Sequence, residues 1–183
     1  MNIIGNKVII RAMEIDDMKH YLSMINDPET EYMVAGWSFP LSLYQQNKWF
    51  EKVCDDKKNL RFTIIEKNTS DVLGMANLVD IDWKNRTAFH GIKLLPNAPK
   101  GKGYATDAVM AIMKYAFCEL QLNRLDGSII EYNEASMKLY TKCGWQIEGN
   151  RRKSVFKNNK YHDNILVGIL KEEYLNIIEH IGK

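Results

Sequence analysis

The sequence predicts an α+β fold: a mostly antiparallel mixed sheet of six to seven strands flanked by about four helices. Three observations carry that expectation. Three strand-like runs follow one another with only short turn-forming stretches between them. Two helix-period segments precede these runs rather than alternating with them, and the chain closes on a second hairpin. A doubly wound parallel sheet would need a regular strand–helix alternation, which is not there.

Taken in order, 7–13 (KVIIRAM) reads as an opening strand. Asp16 is placed to cap a helix in which Met18, Tyr21, Leu22 and Ile25 recur at helical spacing, and Asp27-Pro28 ends it. A second amphipathic segment covers about 42–53, and the aromatic stretch EYMVAGWSFPLS between the two lacks a period and reads as a packed loop. The runs 60–66, 71–81 and 86–95 form a meander, with turns at 68–71 and 82–85. A long helix over about 103–120 carries the buried stripe Ala105, Ala108, Val109, Ile112, Ala116 and Leu120. Then come a strand at 125–131, a short helix at 134–143 that Gly144 terminates in a left-handed conformation, a hairpin across Asn158-Asn159, and a helical tail.

With 183 residues the chain fits one domain, 1–183, with a substantial core. Its 25 basic and 23 acidic residues leave a net charge of +2, which provides no bulk field for nucleic acid. Arg151-Arg152-Lys153 is a local basic run in a hairpin with no aromatic platform beside it, so it does not change that exclusion. No stretch approaches the ~20 apolar residues of a membrane span, and the N-terminus lacks the pattern of a secretory signal. Cys54, Cys118 and Cys143 are odd in number and far apart, which indicates neither a disulfide framework nor a metal site. A cytoplasmic protein is the expectation.

The stretch NAPKGKGYATDAVM, 97–110, carries the chemistry. A turn that delivers the chain into a helix leaves unpaired N–H donors at the helix N-terminus, reinforced by the helix dipole. Gly101 and Gly103 let the backbone bend and approach a ligand, and Lys100 and Lys102 add charge. This combination suits a pyrophosphate. The P-loop pattern is absent. The dinucleotide fingerprint G-x-G-x-x-G is met only at its first two glycines, because Thr106 holds the third place, and Asp126 then reads as a solvent-facing strand residue.

Lys100-Gly-Lys-Gly103-Tyr-Ala105 matches [QR]-x-x-G-x-[GA] apart from lysine in the first place. Here the sequence resembles the GNAT superfamily of acetyl-CoA-dependent N-acetyltransferases, most closely its RimL-like branch. The resemblance covers nearly the whole chain: VIIRAMEIDDM, KGKGYATDAVMAIMKYAF, LQLNRLDGSIIEYNEASMKLYTKCGWQIEG and the closing hairpin. Asn133 followed seven residues later by Tyr140 is its second signature. The fold it implies is GNAT-like, and the co-substrate is acetyl-CoA, with no metal. It places cofactor contacts at the backbone of Ile92, Lys93 and Leu94, at Lys100, Gly101, Lys102, Gly103, Tyr104, Ala105 and Thr106, and at Asn133, Ser136 and Tyr140. Tyr140 corresponds to the general acid that protonates the departing thiolate, as a phenol protonated at neutral pH can. Lysine at position 100 keeps the charge of arginine but not its bidentate geometry, so weaker cofactor binding is expected.

The resemblance leaves the base open. The strand-four glutamate of many relatives aligns with Phe89, so that carboxylate is missing. His90 is the adjacent candidate, Glu131 and Glu14 are others, and water relaying the proton to solvent needs no side-chain base. The acceptor is an amine: a small amine, an amino sugar or a protein N-terminus, with polyamines ranked lower because Glu29 and Glu31 are the only acids near the loop. Trp37 and Phe39 in that loop are the candidate acceptor-binding residues. The resemblance also suggests a monomer or homodimer. The alternative of another class is a non-catalytic acyl-CoA sensor on the same fold.

Overall fold

The computed structural model describes residues 1–36 and 39–181. Its eight strands form one sheet in the order β1-β2-β3-β4-β5-β6-β8-β7. They are β1 (Ile3–Ile4), β2 (Val8–Ala12), β3 (Leu60–Glu66), β4 (Val72–Asp82), β5 (Thr87–Leu94), β6 (Arg124–Ile130), β7 (Gln146–Lys157) and β8 (Lys160–Leu170). Every neighbouring pair is antiparallel except β5 and β6. The α+β, largely antiparallel expectation therefore holds. The strand number is higher than six to seven, because the two-residue β1 is too short to show a period.

Among the described residues six α-helices accompany the sheet, more than the expected about four: α1 (Met18–Ile25), α2 (Pro28–Tyr32), α3 (Leu43–Val53), α4 (Tyr104–Lys114), α5 (Glu134–Lys142) and α6 (Lys171–Ile181). Asp16 does not cap α1. A 3-10 turn, Ile15–Asp17, comes first, with a reciprocal capping box between Glu14 and Asp17. Asp27-Pro28 ends α1 as expected, and it also starts a further helix: Asp27 caps α2 by accepting Thr30 N–H at 2.8 Å, and proline at the first position loses nothing there. The long helix continues past Lys114 as a π turn, Tyr115–Glu119. Ser42 caps α3, Gly144 takes φ +90° after α5, and Asn158-Asn159, both at positive φ, turn the last hairpin.

Helices cover both faces of the sheet. On one, Tyr21 of α1 shares a 2.5 Å hydrogen bond with Thr63, and Arg61 lies over the Trp49 ring of α3. On the other, Tyr115 meets Phe62 edge-on, and Trp145 Nε1 donates to Met113 Sδ of α4. Strand alternation sorts the β4–β5 pair accordingly. Met75, Asn77, Val79, Phe89, Gly91 and Lys93 face the α1–α3 side, and Ala76, Leu78, Ala88 and His90 face the α4 core.

Candidate active site

The site begins where the sheet stops pairing. β5 and β6 are hydrogen-bonded only over Thr87–Phe89 and Arg124–Asp126, and beyond Phe89 they diverge. Leu95 N–H donates to Leu73 O at 2.8 Å, which sets the antiparallel alternation. Gly91 and Lys93 therefore spend their backbone groups on β4, and those of Ile92 and Leu94 point into the gap. Of the three residues whose backbone the sequence reading singled out, Ile92 and Leu94 turn their backbone groups to the gap and Lys93 turns its own to β4. Their side chains are partly buried against the core.

Three spaces converge on this gap. A groove of about 860 Å³ runs from Ile92 and Leu94 past Lys100, Gly101 and Gly103–Thr106 to Asn133 and Ser136. A chamber of about 290 Å³ beneath it is lined by Phe89, Gly91, Lys93, Asn77 and Tyr140, among others. A third space, about 490 Å³, opens towards α1 and α3.

At the mouth of the groove, Gly101 and Gly103 have φ of +74° and +81°, the left-handed region that only glycine enters without strain. A Cβ at Gly101 would meet nothing within 4 Å, so conformation and not crowding requires glycine there. Gly103 is the N-cap of α4 and supplies no side chain, so the first-turn N–H groups are free for a ligand. Lys100 lines the groove; Lys102 does not, and its carbonyl accepts Lys7 Nζ at 2.7 Å. Lys7 Nζ lies 3.2 Å from where a Gly103 Cβ would be, so the second cation at this turn comes from ninety-odd residues upstream. Asp107 brings it there by accepting the backbone N–H groups of Asn6, Lys7 and Val8 at 3.0, 2.7 and 3.0 Å. Neither Lys7 nor Asp107 has a signal in the local sequence.

Asn133 caps α5 through Oδ1, which accepts Ser136 N–H at 3.0 Å. Its Nδ2 donates to Met33 O at 2.8 Å. Tyr132 Oη donates to Tyr32 O at 2.5 Å, and Lys157 Nζ donates to Glu31 O at 2.9 Å. Three side chains from residues 132–157 thus bind the carbonyls of Glu31, Tyr32 and Met33 at the end of α2. This fastens the 28–36 segment across the gap, where Val34 lines all three spaces.

Tyr140 is 6% exposed and opens onto the smaller chamber. Its ring stands edge-on to Trp145, with centroids 4.8 Å apart. Burial pushes its phenol well above the ordinary value, with Cys143 adding to the shift, so it stays protonated. His90 is on the other side of the strand. Its ring packs with Tyr140 and Trp145 at 5.9 and 5.8 Å, Nδ1 meets Asn77 O at 2.9 Å, and burial lowers its pKa to about 4. Such an imidazole is neutral but a weak proton acceptor, which does not favour the base role. Glu14 is spent on its capping box, and Glu131 meets His162 Nδ1 at 2.9 Å. Asp126 pairs with Arg124, at a half-exposed site. Phe39 is 64% exposed and lines the third space; Trp37 lies outside the described residues.

A model of the acetyltransferase (GNAT) domain matches residues 7–146, well over half of the chain. The chain belongs to this family. Across 171 residues it is 29% identical to the SPbeta prophage-derived uncharacterized N-acetyltransferase YokL of Bacillus subtilis (strain 168), with 93% of each chain covered. It is 26% identical over 172 residues to the spermidine N(1)-acetyltransferase of Escherichia coli (strain K12), covering 93% of this chain and 90% of that one. The spermidine N-acetyltransferase from Vibrio cholerae, solved with CoA and spermine, superposes with a TM-score of 0.87. It covers 94% of this chain and 100% of that one at 24% identity, a likeness of fold. The enzyme is an N-acetyltransferase that moves an acetyl group from acetyl-CoA to an amine. Among the described residues, no group of three or more His, Cys, Asp or Glu side chains gathers in metal-binding form.

Proposed function

We propose that transfer occurs by direct attack of a primary amine on the thioester in a ternary complex, within one domain spanning 1–183. The observation that carries this reading is the divergence of β5 from β6, beside which the groove of the glycine turn and the chamber of Tyr140 adjoin, with Ile92, Asn133 and Ser136 in the walls of both. The amides of the Gly101–Thr106 turn, with Lys100 and Lys7, hold the diphosphate. Lys102 supports that turn through its carbonyl. Asn133 and Ser136 shape the opposite wall. A gap-facing N–H of Ile92 or Leu94 stabilises the oxyanion, a role worth about 10²–10³ in rate for comparable donors.

The amine nitrogen forms the C–N bond and the C–S bond breaks. Tyr140 gives its proton to the departing thiolate, and the proton lost by the amine passes through water to solvent. Water is the better carrier because the buried His90 is so weak a base. The proton that restores Tyr140 comes back by the same route.

The glycine turn and the Asn133/Tyr140 spacing support placement in the RimL-like branch. The acceptor is a small amine, an amino sugar or a protein N-terminus. Similarity to a spermidine acetyltransferase supports a second reading, a polyamine acceptor. A cytoplasmic monomer or homodimer, with no nucleic-acid or membrane partner, completes the proposal; no described helix is long and apolar enough to cross a membrane. The test is thiol release from acetyl-CoA across a panel of amines, alongside calorimetry with CoA. Turnover with one acceptor class supports transfer by attack. CoA binding without turnover on any amine would return the sensor reading, and no binding at all would remove the cofactor site.

A further inference from the structure

The alternation that turns His90 into the core turns Lys93 towards the acceptor side. Lys93 pairs with Met75 across the β4–β5 ladder and lines the smaller chamber, the third space and the groove, so it stands where all three meet. Among the described residues of the smaller chamber, no other carries a formal charge at neutral pH. The third space adds Glu31, whose carboxylate is held by the buried Lys157. Lys93 has no hydrogen-bond or ion-pair partner among the described residues. It is half-buried, and burial, with Lys157 nearby, lowers its pKa. A shielded ammonium without a partner is costly unless a ligand supplies one.

Among the described residues, the chamber wall holds two further unsatisfied groups, Asn77 Oδ1 and His90 Nε2. Asn77 Oδ1 is buried with no hydrogen-bond partner, and a Cβ at the adjacent Gly91 would sit 3.2 Å from it. A cation and a carbonyl acceptor side by side complement one kind of molecule, with an amine N–H for Asn77 and an anion for Lys93. The third space provides apolar walls from Tyr21, Met24, Leu41 and Trp49.

We propose that the acceptor is a primary amine bearing an anionic group a few bonds from its nitrogen, with Lys93 holding the anion and Asn77 the amine. This rests on the acetyl-transfer reading above and names the substrate class of that site. A carboxylate and a phosphate share the required chemistry. A polycation does not, since it brings further ammonium groups towards Lys93. The acceptor thus separates this chain from its spermidine-acetylating relatives while the fold unites them.

The experiment compares phenylalanine with phenethylamine, which lacks only the carboxylate, and adds 2-aminoethyl phosphate and spermidine. Thiol release and calorimetric binding to the CoA-saturated protein are both read, on the native chain and on Lys93→Met, Lys93→Arg and Lys93→Glu. The native chain is expected to prefer phenylalanine over phenethylamine by on the order of 10- to 100-fold in kcat/KM and in affinity, the range of a charge-assisted bond shielded from water. Lys93→Met should collapse that ratio to near one, Lys93→Arg should keep it, and Lys93→Glu should turn the preference to spermidine. The phosphate arm decides which anion is taken: preference for either supports the proposal.

A native preference for spermidine or phenethylamine overturns it. So does a Lys93→Met variant that keeps the ratio and raises KM for acetyl-CoA, which would give Lys93 to the cofactor. Absence of thiol release with every amine strikes the acetyl-transfer reading instead. The binding arm then decides Lys93 alone: tighter binding of the anionic amines supports it, and equal binding overturns it.

Discussion

Asn133 Nδ2 donates to the Met33 carbonyl at 2.8 Å, joining residues one hundred positions apart, while Oδ1 of the same side chain caps α5. One amide therefore starts the helix that carries Tyr140 and anchors the segment that closes the site. Aspartate would separate the two jobs, because it caps as well as asparagine but cannot donate. Asn133→Asp is expected to keep the melting temperature near native while raising KM about three- to tenfold, the value of one hydrogen bond. Asn133→Ala loses the cap too, and should cost about 1 kcal/mol more in denaturant unfolding.

Tyr140→Phe keeps the edge-on contact with Trp145 and removes only the hydroxyl. Turnover should fall by about 10²–10⁴-fold, the usual worth of a positioned acid, with CoA affinity unchanged by calorimetry. Burial raises the phenol pKa, so the protonated, donating form persists to higher pH than in free tyrosine. The pH profile of the native enzyme should accordingly show no loss from tyrosine ionisation below about pH 10.

Asp17 is 3% exposed and accepts from both Arg11 nitrogens at 2.7 and 2.8 Å, from Thr63 Oγ1 at 2.7 Å and from Glu14 N–H at 2.8 Å. Burial pushes this carboxyl up, but the hydrogen bonds from Arg11, Thr63 and Glu14 more than reverse it, and its pKa ends below the ordinary value. A carboxyl with a depressed folded-state pKa stabilises above its unfolded pKa of about 3.9 and loses that contribution as pH falls through the folded value. Acid unfolding should therefore steepen below about pH 4 in the native protein and be flatter in Asp17→Asn. At neutral pH that variant should lose about 3 kcal/mol, since it removes the charge paired with Arg11 and replaces one of the two acceptor oxygens by an NH2 donor. At about 2–4 °C per kcal/mol, calorimetry would register a drop of roughly 6–12 °C.

Gly103→Ala forces an L-residue into φ +81° at the head of α4 and crowds Lys7 Nζ. The strain is about 1–2 kcal/mol, and relaxing it would turn the N–H donors away from the diphosphate. CoA affinity should fall about tenfold or more, measured by calorimetry at low salt.

Lys100→Arg exchanges a single ammonium for a forked donor. A bidentate phosphate contact is expected to tighten CoA binding about three- to tenfold, with Lys7→Ala weakening it by a similar factor. Both effects should shrink as salt rises from 50 mM to 0.5 M, because the screening length falls below the span of these contacts.

Much of this protein is written in short-range pattern. The strand-like runs at 60–66, 71–81 and 86–95 became β3, β4 and β5 within about a residue, since short apolar runs bounded by turn-forming residues pair as strands. The glycine turn was legible because few residues other than glycine adopt its backbone angles, and the Asn133/Tyr140 spacing because both lie on one short helix. Tertiary structure decided the rest. Which backbone groups of β5 face the gap depends on a register set by Leu95 and Leu73. The second cation of the glycine turn, Lys7, comes from the distant β1–β2 turn and is held there by Asp107 of α4. His90 became a core imidazole, and Lys93, three residues on, a cation without a partner among the described residues, because the two faces of one strand meet different elements. Sequence fixes a residue's face relative to its neighbours, but burial and charge depend on what the rest of the chain packs against that face.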